Sequence, residues 1–156
     1  MSWQETLNEL FVFPGSETSL AFYPPVSEQD TTRAEQELGV RFPQDLKELL
    51  AETNGVGLHL RLDQPPDDML IGYLLWPLER IIADNITFRN NSQITSVNMS
   101  FDSLLFFSDA GNGDLFGFAI WNHANSVDRI YRWDHEDDSR SCIAHSLKDF
   151  LQFMSK

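Results

Sequence analysis

Cysteine, long apolar runs and a leader segment are scarce or missing in this sequence. The single cysteine, Cys142, has no partner for an internal disulfide or for a cysteine zinc site, which agrees with a reducing compartment. The longest nearly continuous apolar run, residues 69–76, falls well short of the roughly 18 residues of a membrane-spanning helix. No basic stretch followed by an apolar stretch opens the chain, as a secretory signal would require. We therefore expect a cytoplasmic protein without membrane association.

Basic residues are also few. The chain has 11 lysines and arginines against 24 aspartates and glutamates, which gives a formal charge of −13. A field of this sign repels the phosphate backbone of nucleic acids, so direct nucleic-acid binding is disfavoured. The same field accelerates encounter with a basic protein. Solubility is the alternative explanation, because many cytosolic proteins are acidic for that reason alone.

The composition indicates one folded domain. Hydrophobic residues make up 42% of the 156 residues and charged residues 22%, which is the globular range. A chain of this length buries roughly 68–70% of its unfolded surface on folding, enough for one core. We predict a single domain over residues 1–156, with an N-terminal helix and irregular extension over 1–26 and the core over 27–156.

Apolar spacing and capping signals predict four main helices. The first covers residues 3–11, and an irregular connection over residues 14–26 follows it. A capping box begins a second helix at Ser27, and a proline suited to the first helical turn begins a third at Pro43. A second capping box, at Ser146, begins a closing helix.

Short apolar segments predict five strands, over residues 56–62, 69–75, 104–107, 115–121 and 127–133; the first alternates with a twofold period, and the second and third are continuous apolar runs that predict buried strands. The last three are joined by connections too short for parallel crossovers, so they should form an antiparallel meander. A helix of one or two turns is predicted after Pro77, followed by a loop over residues 85–98. The order predicts an α+β domain, with an antiparallel or mixed sheet packed against N-terminal helices and one C-terminal helix.

Motifs of catalytic or cofactor sites are not recognisable. The glycine-containing turn over residues 109–114 lies between two predicted strands and lacks the lysine and hydroxyl residue of a phosphate-binding loop. Residues 134–138 surround His135 with carboxylates, but neighbours in an irregular segment point in different directions, and no helical pair of histidines accompanies them. We expect no catalytic residue, no bound metal and no cofactor, and we interpret residues 134–138 as a solvated acidic loop.

Aromatic residues on the strands can serve either the core or a partner. Phe116 and Phe118 share one face of their predicted strand, and Trp121 lies on the other. If the phenylalanine face meets the helices, Phe118 belongs to the core, and Trp121 and Trp133 are available to a partner. The alternative is that both faces are covered, which makes both tryptophans ordinary core residues.

A series of short motifs follows in order from about residue 27 to the C-terminus. They are Glu35-x-x-Leu38-Gly39-Val40, Phe42-Pro43-x-Asp45-Leu46, Asn54-Gly55, Trp76-Pro77-Leu78, Leu105-Phe106-Phe107 and Ile130-Tyr131-x-Trp133-Asp134-His135-Glu136. In this order they resemble the SUKH superfamily, which contains bacterial immunity proteins and the fungal Smi/Knr cell-wall regulators. The resemblance implies a single α+β domain that is not an enzyme and binds a protein partner. In the bacterial branch that partner is typically the toxic domain of a secreted polymorphic toxin, often a nuclease.

The leading hypothesis is an immunity protein that covers a basic toxin domain and blocks substrate access by occupancy. One alternative is an intracellular regulatory scaffold of the fungal type, against which the lack of long disordered tails argues. The other is a small metal-dependent hydrolase that uses residues 134–138. The residues expected at the partner interface are Asp109, Asp114, Trp133, Asp134 and Glu136, with Tyr73, Trp121 and Tyr131 as further aromatic anchors.

Overall fold

The computed structural model describes residues 1–90, 100–122 and 125–156. Within this part of the chain, five α-helices and a short 3₁₀ turn accompany seven strands, which form two antiparallel sheets. The α+β class is thus confirmed, and no helix of the described residues is long and apolar enough to cross a membrane. The elements are α1 (Trp3–Phe11), β1 (Thr18–Phe22), α2 (Glu28–Leu38), α3 (Gln44–Glu52), β2 (Val56–Arg61), β3 (Asp68–Leu75), α4 (Leu78–Asn90), the 3₁₀ turn (Phe101–Ser103), β4 (Leu104–Asp109), β5 (Leu115–Trp121), β6 (Asn125–Trp133), β7 (Arg140–Ala144) and α5 (Leu147–Met154).

Side-chain caps begin the helices where the sequence predicted them. The hydroxyl of Ser27 accepts a hydrogen bond from the third backbone N–H of α2 at 3.1 Å, and Ser146 caps α5 in the same way at 3.0 Å. The helix α2 ends at Gly39, whose φ of 66° is left-handed and therefore suits glycine. The predicted N-terminal helix is also confirmed, and its buried Leu7 joins the common core. The N-terminal segment is therefore part of the fold.

The predicted antiparallel meander is confirmed and is one strand longer than expected. The strands β4, β5, β6 and β7 follow one another as neighbours in one sheet, while β1, β2 and β3 form the other. The two sheets meet where β3 ends. There the backbone N–H of Trp76 donates to the carbonyl of Phe107 at 2.9 Å, and the hydroxyl of Ser108 donates to the carbonyl of Leu74 at 2.6 Å.

Two predicted irregular segments are wrong. Residues 14–26 contain β1, which is held by antiparallel pairing with β2, as in the register Leu20 with Leu58. The predicted loop over residues 85–98 begins as helix instead, because α4 continues to Asn90; residues 91–98 lie outside the described residues. Asn85 explains the longer helix: its buried side chain donates to the carbonyl of Phe106 at 2.8 Å and accepts from the same residue's N–H at 2.9 Å. A polar residue that suggested a loop thus fastens α4 to β4.

Both faces of the four-stranded sheet carry buried aromatic side chains. On one face Phe118 stacks on Phe107, with ring centroids 4.4 Å apart, and Phe150 of α5 packs edge-on against Phe107 at 5.0 Å. On the other face Trp133 packs against Phe101 at 5.1 Å, and α4 covers this cluster. The prediction that Phe118 lies in the core is confirmed.

The apolar strand β3 differs from the prediction of a buried strand. Its last two residues, Leu74 and Leu75, are buried, but Met69, Leu70 and Ile71 are 50%, 43% and 51% exposed. The sheet junction described above covers only the end of β3, so the first half of the strand projects beyond the core. Hydrophobicity alone could not distinguish these two halves.

Candidate interaction site at the strand ends

Two turns lie side by side at one end of the four-stranded sheet. One joins β4 to β5 and the other joins β6 to β7; we call residues 109–114 and 134–139 together the acidic turn pair. At Gly113 the two turns are packed so closely that a Cβ atom at this position would lie 3.0 Å from ring atoms of His135. The φ of 105° at Gly113 also favours glycine. The two turns therefore form one surface.

Asp114 connects the two turns. Its Oδ1 lies 2.6 Å from Nδ1 of His135 and accepts from that residue's backbone N–H at 3.2 Å. Its Oδ2 accepts from Nε of Arg132 at 2.9 Å and forms an ion pair with Nη2 of the same guanidinium at 2.8 Å. Burial alone raises the pKa of Asp114, but the hydrogen bonds from His135 and Arg132 outweigh it and lower the pKa to about 2. The carboxylate is thus a fixed anion within the fold.

Asp109 is held on the side of the turn pair that faces α4. Its Oδ2 accepts from Nε1 of Trp76 at 2.8 Å and from Nη2 of Arg80 at 3.2 Å. The Arg80 guanidinium also lies over the Trp76 ring, 4.2 Å from the centroid. The other oxygen accepts from the backbone N–H of Gly111 at 3.0 Å, which fixes the turn. Asp109 therefore serves mainly to position the first turn.

The second turn is built on aspartates that bond to its own backbone. Asp134 accepts from the N–H of Glu136 at 2.8 Å, and Asp137 accepts from the N–H of Ser139 at 2.9 Å. Hydrogen bonding by the side chain of Ser139, together with its backbone N–H, lowers the pKa of Asp137. Asp138 is buried and accepts from Nε1 of Trp133 at 2.7 Å. Asp134 is half-buried, whereas Glu136 and Asp137 are exposed. These three carboxylates form the outer surface of the turn.

The structure brings together five of the eight predicted interface residues and separates the other three. Asp109, Asp114, Trp133, Asp134 and Glu136 all belong to the acidic turn pair or adjoin it. Trp121 lies at the opposite end of β5 and is 67% exposed. Tyr131 is half-buried within β6, and Tyr73 lies on the other sheet, with its ring centroid 6.4 Å from that of Tyr23.

Two of the five grouped residues need correction. Trp133 is only 3% exposed, because α4 and the 3₁₀ turn enclose its ring, and Asp114 is only 5% exposed. A side chain buried to this degree has no surface to offer, so both support the turns from within and do not contact a partner. For Trp133 the alternative of an ordinary core aromatic is correct, whereas for Trp121 it is wrong.

Sequence reasoning did not single out Asp137 or the positioning role of Arg132. In an Asx turn, an aspartate accepts a hydrogen bond from the backbone N–H two residues later. Asp137 and the N–H of Ser139 have this spacing, which could have predicted the role of Asp137. Arg132 lies in register with Phe116 on β5, one strand away from the turn that holds its partner. Only strand pairing reveals that contact.

The hydrolase hypothesis requires a metal centre at this place. One ligand atom each of Asp114, Asp134 and His135 lies within 4.8 Å of the others. However, Nη2 of Arg132 is 2.8 Å from Asp114, and Nδ1 of His135 already bonds the same carboxylate. Since a cation placed there would meet the guanidinium, the geometry favours an ion-paired framework over a metal centre.

These contacts predict a defined pH dependence of stability. The hydrogen bond to Asp114 raises the pKa of His135 above 6.5, so its contribution is present below pH 6.5 and is lost as the pH rises through the folded-state pKa. Asp114 contributes above its unfolded pKa of 3.8, and this is lost as the pH falls toward 2. Urea unfolding at about pH 6 and about pH 9 should show that the His135→Gln variant loses less stability over this interval than the wild type. Equal losses in both proteins would contradict the role of His135.

The described elements form an α+β domain of two antiparallel sheets with N-terminal helices and a C-terminal helix. Residues 25–152 match the SMI1 / KNR4 family (SUKH-1). This is most of the chain, from just before α2 to the last turns of α5, so the protein belongs to that family and the sequence resemblance is confirmed. No curated protein matches the chain.

Proposed function

We propose that this protein is an immunity protein, which neutralises the basic toxic domain of a polymorphic toxin by binding it and not by catalysis. The observation that carries the proposal is the row of outward carboxylates of Asp134, Glu136 and Asp137 on a turn whose backbone is fixed by its own hydrogen bonds. A fixed surface loses little conformational entropy on binding, so more of the interaction energy is available for affinity.

Internal pairing leaves the negative charge of the turn pair facing outward. Arg132 pairs with Asp114, Arg80 with Asp109, and Arg140 with Asp138. These arginines compensate the inner carboxylates, whereas the outer three are directed to solvent. Together with the overall charge of −13, the outer carboxylates should accelerate encounter with a basic surface.

Occupancy alone is sufficient for neutralisation. A nuclease presents a basic surface to its substrate, and an acidic domain seated there excludes the nucleic acid from the same positions. This mechanism needs no nucleophile, metal ion or cofactor from the immunity protein.

Co-expression tests the proposal directly. The toxic domain would be taken from the secreted protein encoded by the reading frame next to this one. Growth of cells that express the toxic domain should be restored when this protein is co-expressed, and the two proteins should co-purify as a stable complex. Persistent toxicity with abundant, folded immunity protein would contradict the proposal, as would the absence of such a neighbouring frame.

A further inference from the structure

The outer edge of β3 carries three consecutive exposed apolar residues. Met69, Leu70 and Ile71 are 50%, 43% and 51% exposed, and because neighbouring side chains point to opposite faces of a strand, both faces are apolar here. The register passes from Leu70 opposite His59 to Gly72 opposite Leu58, so Ile71 has no residue opposite it on β2. A bulge of this kind directs one additional side chain outward.

This edge is open along one half only. In the described part of the chain β3 pairs with β2 alone, and β2 lies between β1 and β3. At its C-terminal end β3 is closed by β4, through the contacts of Leu74 with Ser108 and of Trp76 with Phe107. The first half therefore has one side along which a further extended segment can lie.

The other edge strands of the described chain are either buried or begin with polar residues. The edge strand β4 is apolar, but its residues are almost all buried. The edge strand β7 begins with Arg140 and Ser141, and the edge strand β1 begins with Thr18 and Ser19. Natural sheets protect exposed edges with charged or polar residues, so an apolar edge is a liability unless something covers it. The open half of β3 is the exception among these edges.

The charge around the open edge indicates what covers it. The loop before β3 carries the exposed Asp63 and Asp67, and the exposed Asp68 begins the strand. Arg61 lies opposite Asp68 in the strand register, and Nδ1 of His59 is 3.5 Å from Oδ1 of Asp68. A second copy of this chain would bring like charges together and would add its own charge of −13, which disfavours self-association. A basic segment finds complementary charge at the loop and apolar contacts along the strand.

We propose that the open edge of β3 binds an extended segment of a basic protein, in which apolar residues alternate with lysine or arginine, as an added strand. Main-chain hydrogen bonds along β3 supply affinity, Met69, Leu70 and Ile71 contact the apolar side chains, and the aspartates select the basic ones. The edge belongs to a different sheet from the acidic turn pair, so this proposal does not depend on the toxin assignment.

Synthetic peptides test the edge with the full chain. The probe is a short fluorescent peptide of alternating valine and lysine, and fluorescence anisotropy reports its binding. Three further peptides serve as controls: alternating valine and glutamate, valines and lysines in separate blocks, and the first peptide with N-methylated amides. The alternating lysine peptide should bind with a Kd about tenfold lower than each control.

A matched pair of variants assigns the binding to β3. Ile71→Lys places a charge on the open edge, whereas Ile86→Lys makes the same change at a residue of α4 that is 38% exposed. Ile71→Lys should raise the Kd about tenfold, and Ile86→Lys should change it less than about twofold, although both alter the net charge equally. Circular dichroism confirms that both variants are folded.

Several outcomes would overturn the proposal. If the block peptide bound as tightly as the alternating lysine peptide, composition and not strand alternation would determine binding. If the glutamate peptide did so, the aspartates would not select basic side chains, and if the N-methylated peptide did so, strand addition would be excluded. An unchanged Kd for Ile71→Lys would exclude this edge. A concentration-dependent dimer that Ile71→Lys abolishes, measured by sedimentation velocity, would assign the edge to a second copy. None of these results bears on toxin neutralisation, which the co-expression assay measures separately.

Discussion

Replacing Phe118 with alanine is expected to lower the free energy of unfolding by about 3–5 kcal/mol. The Phe118 ring is fully buried and stacks on Phe107 with centroids 4.4 Å apart. Phe107 in turn contacts Phe150 of α5 at 5.0 Å, so the ring belongs to a packed layer between the sheet and that helix. Its removal leaves a cavity that rigid strands on either side cannot close by collapse.

The matched control is Phe153→Ala on α5. Phe153 is 43% exposed, so the same truncation removes less buried surface and should cost less than about 1 kcal/mol. Urea unfolding followed by tryptophan fluorescence measures both variants under the same conditions. If the loss for Phe118→Ala were below about 1 kcal/mol, the assigned face of β5 would not be the main contact with the helices.

The elements that the sequence predicted correctly are those with local causes. Ser27 and Ser146 cap helices through contacts within one turn, and the predicted pairings of β4 with β5 and of β5 with β6 join strands that are close in sequence. Such features depend on neighbours in the chain, so their signals are visible in a short window. Strand alternation also placed Phe116 and Phe118 on one face of β5, and the expectation that this face meets the helices is confirmed by their burial.

The elements that were missed depend on distant partners. In β1, Leu20 and Phe22 alternate with smaller residues, but this short pattern lies among proline, glycine and serine and becomes a strand only by pairing with β2. Asn85 suggested a loop because asparagine is a poor helix former, yet its side chain bonds β4 across 21 residues of sequence. Long-range contacts of this kind override local propensity.

The candidate site shows the same division between local and distant causes. The predicted strand boundaries already placed Asp114 and Asp134 near strand ends. They did not predict that Trp133 is buried, because Phe88 of α4 and Phe101 of the 3₁₀ turn, which contact its ring, are distant in the sequence.

Asp114 is buried where it contacts Arg132 and His135, which lie 18 and 21 residues further along the chain. Conversely, Trp121 lies on the same strand as Phe118 but beyond the region that the helices cover, which explains its exposure.

Under the proposed immunity function, reversal of charge on the acidic turn pair should slow association with the toxic domain before it affects stability. Changing Asp134 and Glu136 to lysine replaces two negative charges with two positive ones at the outer surface of the second turn. Steering by complementary charge enhances association rates by about 10–1,000-fold, so the rate constant at low salt should fall by about tenfold or more. The association rate constant of the lysine variant should also depend less steeply on ionic strength than that of the wild type, because salt screens the long-range attraction that the variant has lost.

A second double variant distinguishes the effect of charge on the acidic turn pair from the effect of the protein's net charge. Glu9→Lys with Glu37→Lys makes the same net change on the exposed surfaces of α1 and α2, and should alter the association rate much less if the turn pair faces the toxin. Asp134 also accepts a 2.8 Å hydrogen bond from the N–H of Glu136, so lysine at position 134 removes an acceptor as well as a charge. The double variant Asp134→Asn with Glu136→Gln removes both charges but keeps an acceptor in the turn, and it therefore reports the effect of charge without a change in the turn's hydrogen bonds. Stopped-flow association with the toxic domain at several salt concentrations distinguishes these cases. If the turn-pair and helix variants had equal association rates, the acidic turn pair would not be part of the interface. If only the variant with lysine at positions 134 and 136 had a low melting temperature, these carboxylates would be required for the structure of the turn.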